Sequence, residues 1–535
     1  MAPPSPHKSA PRAALALSAG LLALSACTCG EPATERAYEV GAAVKELPGS
    51  HQSSLAAMVP APVALFVAMD SPTQALAAMR GSPRVAALFS PALLDAVALS
   101  DAGATTRALR MRLGELSQLP LPESSLSSLL DGPLVVAART GKLEPDFLLV
   151  KRLAPRIAAS WKLAQVLQGV HPALSEVRVE RYRGLPLRKV LLDSRRRLTY
   201  FVLRDLLVAG TSDEWVKQSL DLALGGVGAA ASGQEAVRSA LSEGKGAALL
   251  AVVDSEELRG GGGKASLGAL LLAQTRWARA MLWPGRPLQL SLSRTPAAAK
   301  ALEGVKSGSL LAKYAPRTAL LAVSRSVDLG ATLASLPAAG AAKALQEELG
   351  RLTGPALGKE SFWLLDGVDP ESEAMRHVVG LRLLPAAKGE ELVVELSTRL
   401  LAEPRTSQRE AGHLVICGGD RALCLTSDGS ALLASNSLAA LRSALAVSEG
   451  RQPPLLPPGQ SPDLAWVDAP ALSAALSRTI VAPGEEGSES PDSSEVRQRT
   501  EPALKALRDL GPLLTVLTAT APGVLTGEVR AGPSP

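Results

Sequence analysis

DLLVAGTS at residues 205–212 and SALLASNS at residues 430–437 are two versions of one pattern. In both stretches an apolar run ends in Ser, Thr or Asn, and a segment with helical spacing follows, at residues 214–224 and 438–447. A buried strand, a capping side chain and a helix account for this order. The repetition predicts that the chain contains two similar units.

Other blocks recur in the same order along the chain. Each copy contains an opening strand, a strand pair, an Asp that precedes a helix, and a closing strand. In the first copy these blocks are residues 64–68, 133–138 with 146–151, 251–254 and 288–293; in the second they are 319–323, 361–365 with 377–383, 465–468 and 513–518. Helical spacing predicts further helices at residues 74–79, 155–167, 326–336 and 388–401. The alternative explanation is that an Ala- and Leu-rich composition imitates a duplication.

This alternation of hairpin-paired strands with amphipathic helices is typical of the α+β class. We therefore expect two tandem related domains, each a mostly antiparallel sheet with helices packed on one face. A parallel doubly wound sheet fits less well, because single helices do not regularly separate the strands. The expected boundaries are a signal peptide at 1–26, a flexible tether at 27–54, a first repeat at 55–305, and a second repeat at 306–535 with a disordered loop near 483–500.

The composition argues against several classes of protein. Of the 535 residues, 47% are hydrophobic, which is too many for a wholly disordered chain. Aromatic residues make up only 3%, so a stacking surface for single-stranded nucleic acid is not expected. The chain has four Cys and five His, which are too few to predict a disulfide-dense scaffold or a His-rich metal site. The sequence therefore predicts no metal, no cofactor and no nucleic-acid partner.

The N-terminus has the features of an export signal. Lys8 and Arg12 precede an uncharged apolar run at residues 13–24, which is shorter than the roughly 20 residues that span a bilayer. The run ends in Leu24-Ser25-Ala26-Cys27, a Leu and two small residues before a Cys. An ordinary cleaved signal peptide with a Cys near its cleavage site is the alternative explanation.

Leu24-Ser25-Ala26-Cys27 resembles the lipobox of bacterial envelope lipoproteins. The resemblance implies that the Cys27 thiol receives a diacylglycerol, that cleavage occurs before this residue, and that its new amine is acylated. It also implies a periplasm-facing protein of the cell envelope, anchored by lipid to the inner or the outer membrane. Val59-Pro60-Ala61 precedes the first predicted strand. With this feature, the chain after the signal peptide is similar to envelope lipoproteins that carry a tandem domain of unknown function. The similarity implies a location in the cell envelope and a similar kind of fold, but no activity.

Cys417 and Cys424 flank a turn signal at residues 418–421. A hairpin with a four-residue loop would place the two cysteines opposite each other. In an oxidising compartment they could then form a cross-strand disulfide. The alternative is two buried free thiols, because a slip of one residue in the register would place them on opposite faces.

The positive charge of the chain is concentrated in one segment. The formal net charge is +5, and the body without Lys8 and Arg12 is nearly balanced. The candidate surface for anionic lipid or another polyanion consists of Arg178, Arg181, Arg183, Arg188, Lys189, Arg195, Arg196 and Arg197. The alternative interpretation is two solvated strands joined by a turn at residues 195–197.

No catalytic motif identifies an enzyme. Neither H-E-x-x-H nor G-x-S-x-G occurs, and the histidines lie far apart in the sequence. The leading hypothesis is a non-catalytic binding or scaffold module, with an envelope protein or a lipid as its ligand. The first alternative is a periplasmic hydrolase in which a Ser or Cys meets His171, His377 or His413 only in the fold. The second alternative is a structural spacer.

Overall fold

The computed structural model divides the chain into two compact units. The first unit comprises residues 1–82, 91–263 and 279–286, and the second comprises 83–90, 264–278 and 287–535. The structure describes residues 51–81, 132–140, 146–153, 178–191, 197–260, 274–301, 309–326, 347, 350–351, 356–369, 374–419, 423–457, 463–481, 500–501, 504–505, 507–521 and 523–532.

Up to residue 282 the described chain alternates strands with short helices. The helices are α1 (His51–Ala56), α2 (Pro72–Gly81), α3 (Asp213–Ala223), α4 (Glu235–Glu243) and α5 (Ser255–Gly260). The strands are β1 (Leu65–Met69), β2 (Leu134–Arg139), β3 (Asp146–Arg152), β4 (Arg178–Tyr182), β5 (Leu185–Leu191), β6 (Arg197–Leu203), β7 (Leu206–Gly210), β8 (Leu249–Asp254) and β9 (Thr275–Leu282).

The sheet of the first unit is antiparallel throughout. Its strand order is β8-β1-β2-β3-β7-β6-β5-β4. Helix α3 packs on the sheet through Trp215, which is fully buried and donates a hydrogen bond from its indole nitrogen to the Pro60 carbonyl at 3.2 Å. Ser219 of the same helix donates to the Met58 carbonyl at 2.7 Å, so this helix also holds the segment before β1.

The predicted helix caps are confirmed. The Ser212 hydroxyl accepts a hydrogen bond from the Trp215 amide at the start of α3. At the start of α5, an Asp254 carboxylate oxygen accepts from the amides of Glu256 and Glu257. These side chains bond amides that have no partner within their helix, which is why a short polar residue stands at each position.

From residue 289 the described chain forms the elements of the second unit. The helices are α6 (Pro296–Ala301), α7 (Leu311–Tyr314), α8 (Gly389–Leu400), α9 (Leu438–Ser448) and α10 (Ala469–Val481). The strands are β10 (Gln289–Arg294), β11 (Leu321–Ser326), β12 (Leu357–Val368), β13 (Met375–Leu383), β14 (Arg405–Glu410), β15 (His413–Gly418), β16 (Leu423–Ser427), β17 (Ala431–Ser435), β18 (Leu464–Asp468), β19 (Pro512–Val516), β20 (Thr518–Ala521) and β21 (Val524–Ala531).

The main sheet of the second unit is also antiparallel. Its order is β18-β11-β12-β13-β17-β16-β15-β14, which is the order of the first sheet when the strands are counted from β1 in the first unit and from β11 in the second. The outer side of β18 pairs with β19, and β21 pairs with β19, β20 and β10. The Ser437 and Asp468 side chains cap α9 and α10, as predicted. The fold is therefore α+β, with mostly antiparallel pairing.

Helices cover both faces of the second sheet, so the prediction of helices on one face is wrong. Cys417 and Cys424 lie in a buried cluster with Leu441 of α9. Their chain neighbours Ile416 and Leu425 lie in a separate buried cluster that includes α8. Successive residues of a strand point to opposite faces, so α9 and α8 lie on opposite sides of the sheet. The physical reason is that β15, β16 and β17 are apolar at nearly every position and need cover on both faces.

The expected limits of the two repeats also differ from the structure. Helix α1 begins at His51, inside the predicted tether, and its Gln52 side chain is buried and donates to the Ala247 carbonyl at 3.3 Å. Strand β10 was expected to close the first repeat, but it belongs to the second unit and pairs there with β21. A closing strand cannot be assigned by hydrophobic pattern alone, because its partner determines the unit to which it belongs.

Several predictions fall outside the described residues. They are the signal peptide at 1–26, the tether up to residue 50, the helix at 155–167, most of the helix at 326–336, and most of the loop near 483–500. The uncharged run from 510 to 527 forms strands joined by glycine turns, as expected, with positive φ at Gly511 and Gly523. Within the part of the chain that the structure describes, no helix is both long and apolar enough to cross a bilayer.

Candidate functional site

A cleft in the second unit lies between the turn of the β14–β15 hairpin and the end of α9. Its volume is about 520 Å³, and it is lined by Glu410, Ala411, Arg442, Leu445, Glu449 and Arg451. We call it the Arg442 cleft. Four of these side chains carry charge, two of each sign, so the cleft offers paired charges beside one buried leucine.

Ion pairs join the hairpin to the helix around this cleft. Glu410, the last residue of β14, accepts a hydrogen bond from Arg442 of α9 at 2.6 Å. His413, the first residue of β15, lies with its Nε2 atom 3.3 Å from a carboxylate oxygen of Glu449. Arg451 donates to the other oxygen of Glu449 at 2.6 Å. The hairpin turn and the helix end are therefore connected by two separate carboxylates.

The Glu410 carboxylate of the cleft remains ionised at neutral pH. The hydrogen bond from Arg442 lowers the pKa of Glu410, and the same contact raises the pKa of Arg442. A carboxylate held in this way is a poor general acid, and a guanidinium is not a base. The cleft therefore presents charged hydrogen-bonding groups of both signs.

A second polar cluster surrounds the buried Tyr314 side chain. We call Lys313, Tyr314, Asp428 and Ser430 the Tyr314 cluster. The Tyr314 hydroxyl donates to both oxygens of Asp428 at 2.8 Å and lies 2.7 Å from the Ser430 hydroxyl. The Lys313 ammonium donates to Asp428 at 2.9 Å and to Ser430 at 2.6 Å. Residues at the end of α7 and in the β16–β17 turn thus form one network.

The Tyr314 cluster is built around an ionised carboxylate. Burial by itself would raise the pKa of Asp428, but the hydrogen bonds from Lys313, Ser430 and Tyr314 outweigh burial and lower this pKa to about 2. Burial and the neighbouring Asp428 charge raise the pKa of Tyr314 well above its usual range. Tyr314 therefore acts as a hydrogen-bond donor, and Lys313 has a charged partner.

The structure separates the basic residues that the sequence grouped together. Arg178, Arg181 and Arg183 of the β4–β5 hairpin are exposed, and so is Arg197. Arg188 is buried, with 3% of its surface exposed and its guanidinium above the Tyr200 ring. Arg195 and Arg196 lie outside the described residues. The eight predicted side chains therefore do not form one exposed surface.

Carboxylates also neutralise part of this basic segment. The Lys189 ammonium lies 2.6 Å from Glu180 and 2.5 Å from Asp213. The Lys217 ammonium, on α3, lies 2.5 Å from the other oxygen of Glu180. The hydrogen bonds from the two lysines lower the pKa of Glu180 to about 2. These contacts connect β4, β5 and α3, so the lysines hold the hairpin against the helix.

The cysteine pair lies where the hairpin pattern places it. Cys417 and Cys424 are directly opposite in the β15–β16 register and are joined by a disulfide. Their Cα atoms are 4.1 Å apart, and both residues are buried. The proposed lipidation residue Cys27 lies outside the described residues.

Neither the His377 ring nor the His413 ring forms a hydrogen bond with a Ser or Cys side chain among the described residues. The backbone of His377 accepts from Ser435 and donates to Asn436, and the His413 ring meets Glu449. Among the described residues no group of three or more His, Cys, Asp and Glu side chains is placed to hold a metal ion. His171 lies outside them.

Sequence reasoning missed the Arg442 cleft and the Tyr314 cluster. The only sequence signal for the cluster is Asp428-Gly429-Ser430, a turn pattern more than one hundred residues from Lys313. The cleft residues belong to a strand end and a helix end that follow no shared motif. Comparison of the chain with protein-family models, with curated protein sequences and with solved structures gave no match.

Proposed function

We propose that this protein is a lipid-anchored module of the bacterial cell envelope that binds a partner without catalysing a reaction. The anchor is supported by the order of the N-terminal features, a basic start, the apolar run 13–24 and Leu24-Ser25-Ala26-Cys27. Two or three acyl chains on Cys27 would hold the protein at the membrane, whereas one chain gives only marginal binding.

Metabolic labelling with palmitate tests the anchor. We expect label in the wild-type protein and in Cys29→Ser, which is the matched control two residues away, and no label in Cys27→Ser. Equal labelling of wild type and Cys27→Ser would disprove lipidation at Cys27. The mass of the N-terminal peptide provides an independent measurement.

We also infer that the two units are tandem related domains. Support comes from the identical strand order of the two antiparallel sheets. It also comes from the corresponding hairpin turns, Arg183-Gly184 after β4 and Ala411-Gly412 after β14, in which both residues have positive φ. A non-glycine residue with positive φ is uncommon, so its occurrence at the same point of both units favours common ancestry over similarity of composition.

The single observation that supports the binding role best is the Arg442 cleft, with two carboxylates and two guanidinium groups around one cavity. A ligand with both positive and negative groups, such as a charged peptide segment, would exchange ion pairs with the cleft. Such an exchange replaces one charge-assisted hydrogen bond by another and leaves no buried charge without a partner. An envelope protein with an exposed charged segment is therefore the partner class that we propose.

Photocrosslinking in cells tests this binding role. We would replace Arg451, at the rim of the cleft, with a photoreactive amino acid, and would replace the exposed Lys245 of the first unit as the control. We expect a discrete crosslinked species from position 451 alone, and we expect it to disappear when Arg442→Glu reverses one charge of the cleft. Equal products from the two positions would contradict the proposal.

One observation favours a second candidate function, the hydrolase. Ser430 is a potential nucleophile with the Lys313 ammonium 2.6 Å from its hydroxyl oxygen. A lysine activates a serine only when its amine is free to accept a proton, whereas the Lys313 nitrogen forms an ion pair with Asp428 at 2.9 Å. A fluorophosphonate probe distinguishes the two functions. Labelling that Ser430→Ala and Lys313→Met both abolish, and that the control Ser407→Ala retains, would establish the hydrolase. An unlabelled wild-type protein would support the binding module.

A further inference from the structure

Strand β20 is an exposed strand without a charged side chain. All four of its residues, Thr518 to Ala521, are solvent-exposed. On one side it pairs with β21, with Thr518 opposite Thr526 and Ala519 opposite Leu525. Among the described residues no strand pairs with its other side.

The register explains why this edge is open. Strand β19 and the start of β20 lie along β21 in one register, with Leu513 opposite Ala531 and Thr518 opposite Thr526, and this register shifts between Ala519 and Ala521. On the other side, β18 pairs with β19 only as far as Val516. The Leu517 amide then donates to the Asp463 carbonyl at 2.8 Å, where the pairing with this neighbour ends. The edge of β20 therefore begins where β18 no longer covers it.

The outer strands of the two main sheets have a different character. Strand β4 contains Arg178, Glu180 and Arg181, and β14 contains Arg405, Arg409 and Glu410. Charged side chains on an edge oppose pairing with another chain, which is a common protection of natural sheets. Strand β20 reads Thr-Ala-Thr-Ala, within a run from 510 to 527 that has no charged residue. This edge lacks the charged side chains that the other two carry.

We propose that β20 pairs with β20 of a second copy of this chain, antiparallel about a twofold axis. An isologous contact brings the same residues together from both copies, so a charged strand would repel itself and an uncharged strand does not. In the register centred on Ala519, Thr518 of each copy lies opposite Thr520 of the other. Cross-strand Thr pairs stabilise antiparallel sheets, and the Ala side chains leave room for a close approach.

A cysteine at the twofold axis tests this pairing. In the full chain carrying Cys29→Ser, Ala519→Cys would place two thiols directly opposite each other across the axis. We expect mild oxidation to convert most of this variant into a covalent dimer on a non-reducing gel. The matched control is Ser407→Cys, an exposed position on the charged strand β14, from which we expect monomer.

A second variant makes the test independent of cysteine chemistry. Thr520→Lys places a positive charge opposite Thr518 of the other copy and near its own equivalent. We expect this change to abolish the covalent dimer in the Ala519→Cys background. In analytical ultracentrifugation, we expect the protein that carries Thr520→Lys alone to have half the mass of the wild-type protein. A monomeric wild-type protein, or a dimer that persists with Thr520→Lys, would overturn the proposal.

Discussion

Glu360 shows how a single buried charge organises the second unit. Its side chain is 0% exposed, and one carboxylate oxygen accepts from the Leu310 amide and the Ser324 hydroxyl. The other oxygen accepts two hydrogen bonds from Arg382, at 3.0 and 2.5 Å. A buried carboxylate persists only when its oxygens have such donors, because leaving water is costly for a charge. Glu360 therefore connects the start of α7 with three neighbouring strands.

Replacing Glu360 should destabilise the second unit strongly. Glu360→Ala removes the acceptor that Arg382, the Leu310 amide and the Ser324 hydroxyl share, and we expect a loss of about 3 kcal/mol in the free energy of unfolding. Urea denaturation followed by tryptophan fluorescence measures this loss. The control is Glu391→Ala, which removes an exposed partner of Lys388 and should change the stability by less than about 0.5 kcal/mol. Similar losses in the two variants would contradict the assigned role.

The Asp428 carboxylate makes the free energy of unfolding depend on pH in the acid range. Its pKa falls from 3.8 to about 2 in the folded chain, so the folded state favours the ionised carboxylate. The stabilisation of the folded state by this pKa difference is complete above about pH 4 and is lost as the pH falls through about 2. We expect Asp428→Asn to weaken the dependence of the urea midpoint on pH within this window. If the urea midpoint of the wild type and that of the variant changed equally with pH, a group other than Asp428 would be responsible for the pH dependence.

At the scale of elements, the β15–β16 hairpin is fixed both by its local sequence pattern and by its packing against two helices. Two strands with apolar residues on both faces bring Cys417 and Cys424 into register. The disulfide lies on the face covered by α9, whereas Ile416 and Leu425 face α8. The hairpin thus contributes to two cores at once.

Reduction of this disulfide should weaken the hairpin. The bridge closes a short loop, so we expect a loss of about 2 kcal/mol in the free energy of unfolding when a reductant is added. The double variant Cys417→Ala/Cys424→Ala is the control, because its stability should not respond to the reductant. Mass spectrometry of unreduced peptides measures the bridge directly. Alkylation of both thiols before reduction would show that it is absent.

At the scale of the whole molecule, the proposed anchor determines where the protein acts. The wild-type protein should remain with the membrane fraction after washes with high salt and with alkaline carbonate, because acyl chains are held by hydrophobic burial and not by charge. Cys27→Ser should move to the soluble fraction, and Cys29→Ser should behave like wild type. Retention of Cys27→Ser through both washes would mean that another part of the chain provides the attachment.

Local patterns alone were sufficient for much of the fold. The strands, the helices and the caps at Ser212, Ser437, Asp254 and Asp468 follow from hydrophobic spacing and from the amides that each helix start exposes. The cysteine pair also followed from a local turn signal. The apolar strands β15, β16 and β17 carried evidence for helices on both faces, because a strand with one exposed face would alternate with polar residues.

The sequence by itself determined most element types and the repeated order of strands and helices, and it predicts a lipidation signal at the N-terminus. Only the tertiary structure decided that Arg188 is buried, that Lys189 and Lys217 share Glu180, and that β10 pairs in the second unit. It alone assembled the Arg442 cleft and the Tyr314 cluster. The physical reason is range: caps and hydrophobic periods act over a few residues, whereas charge pairing and strand partnership join residues that are brought together only by folding.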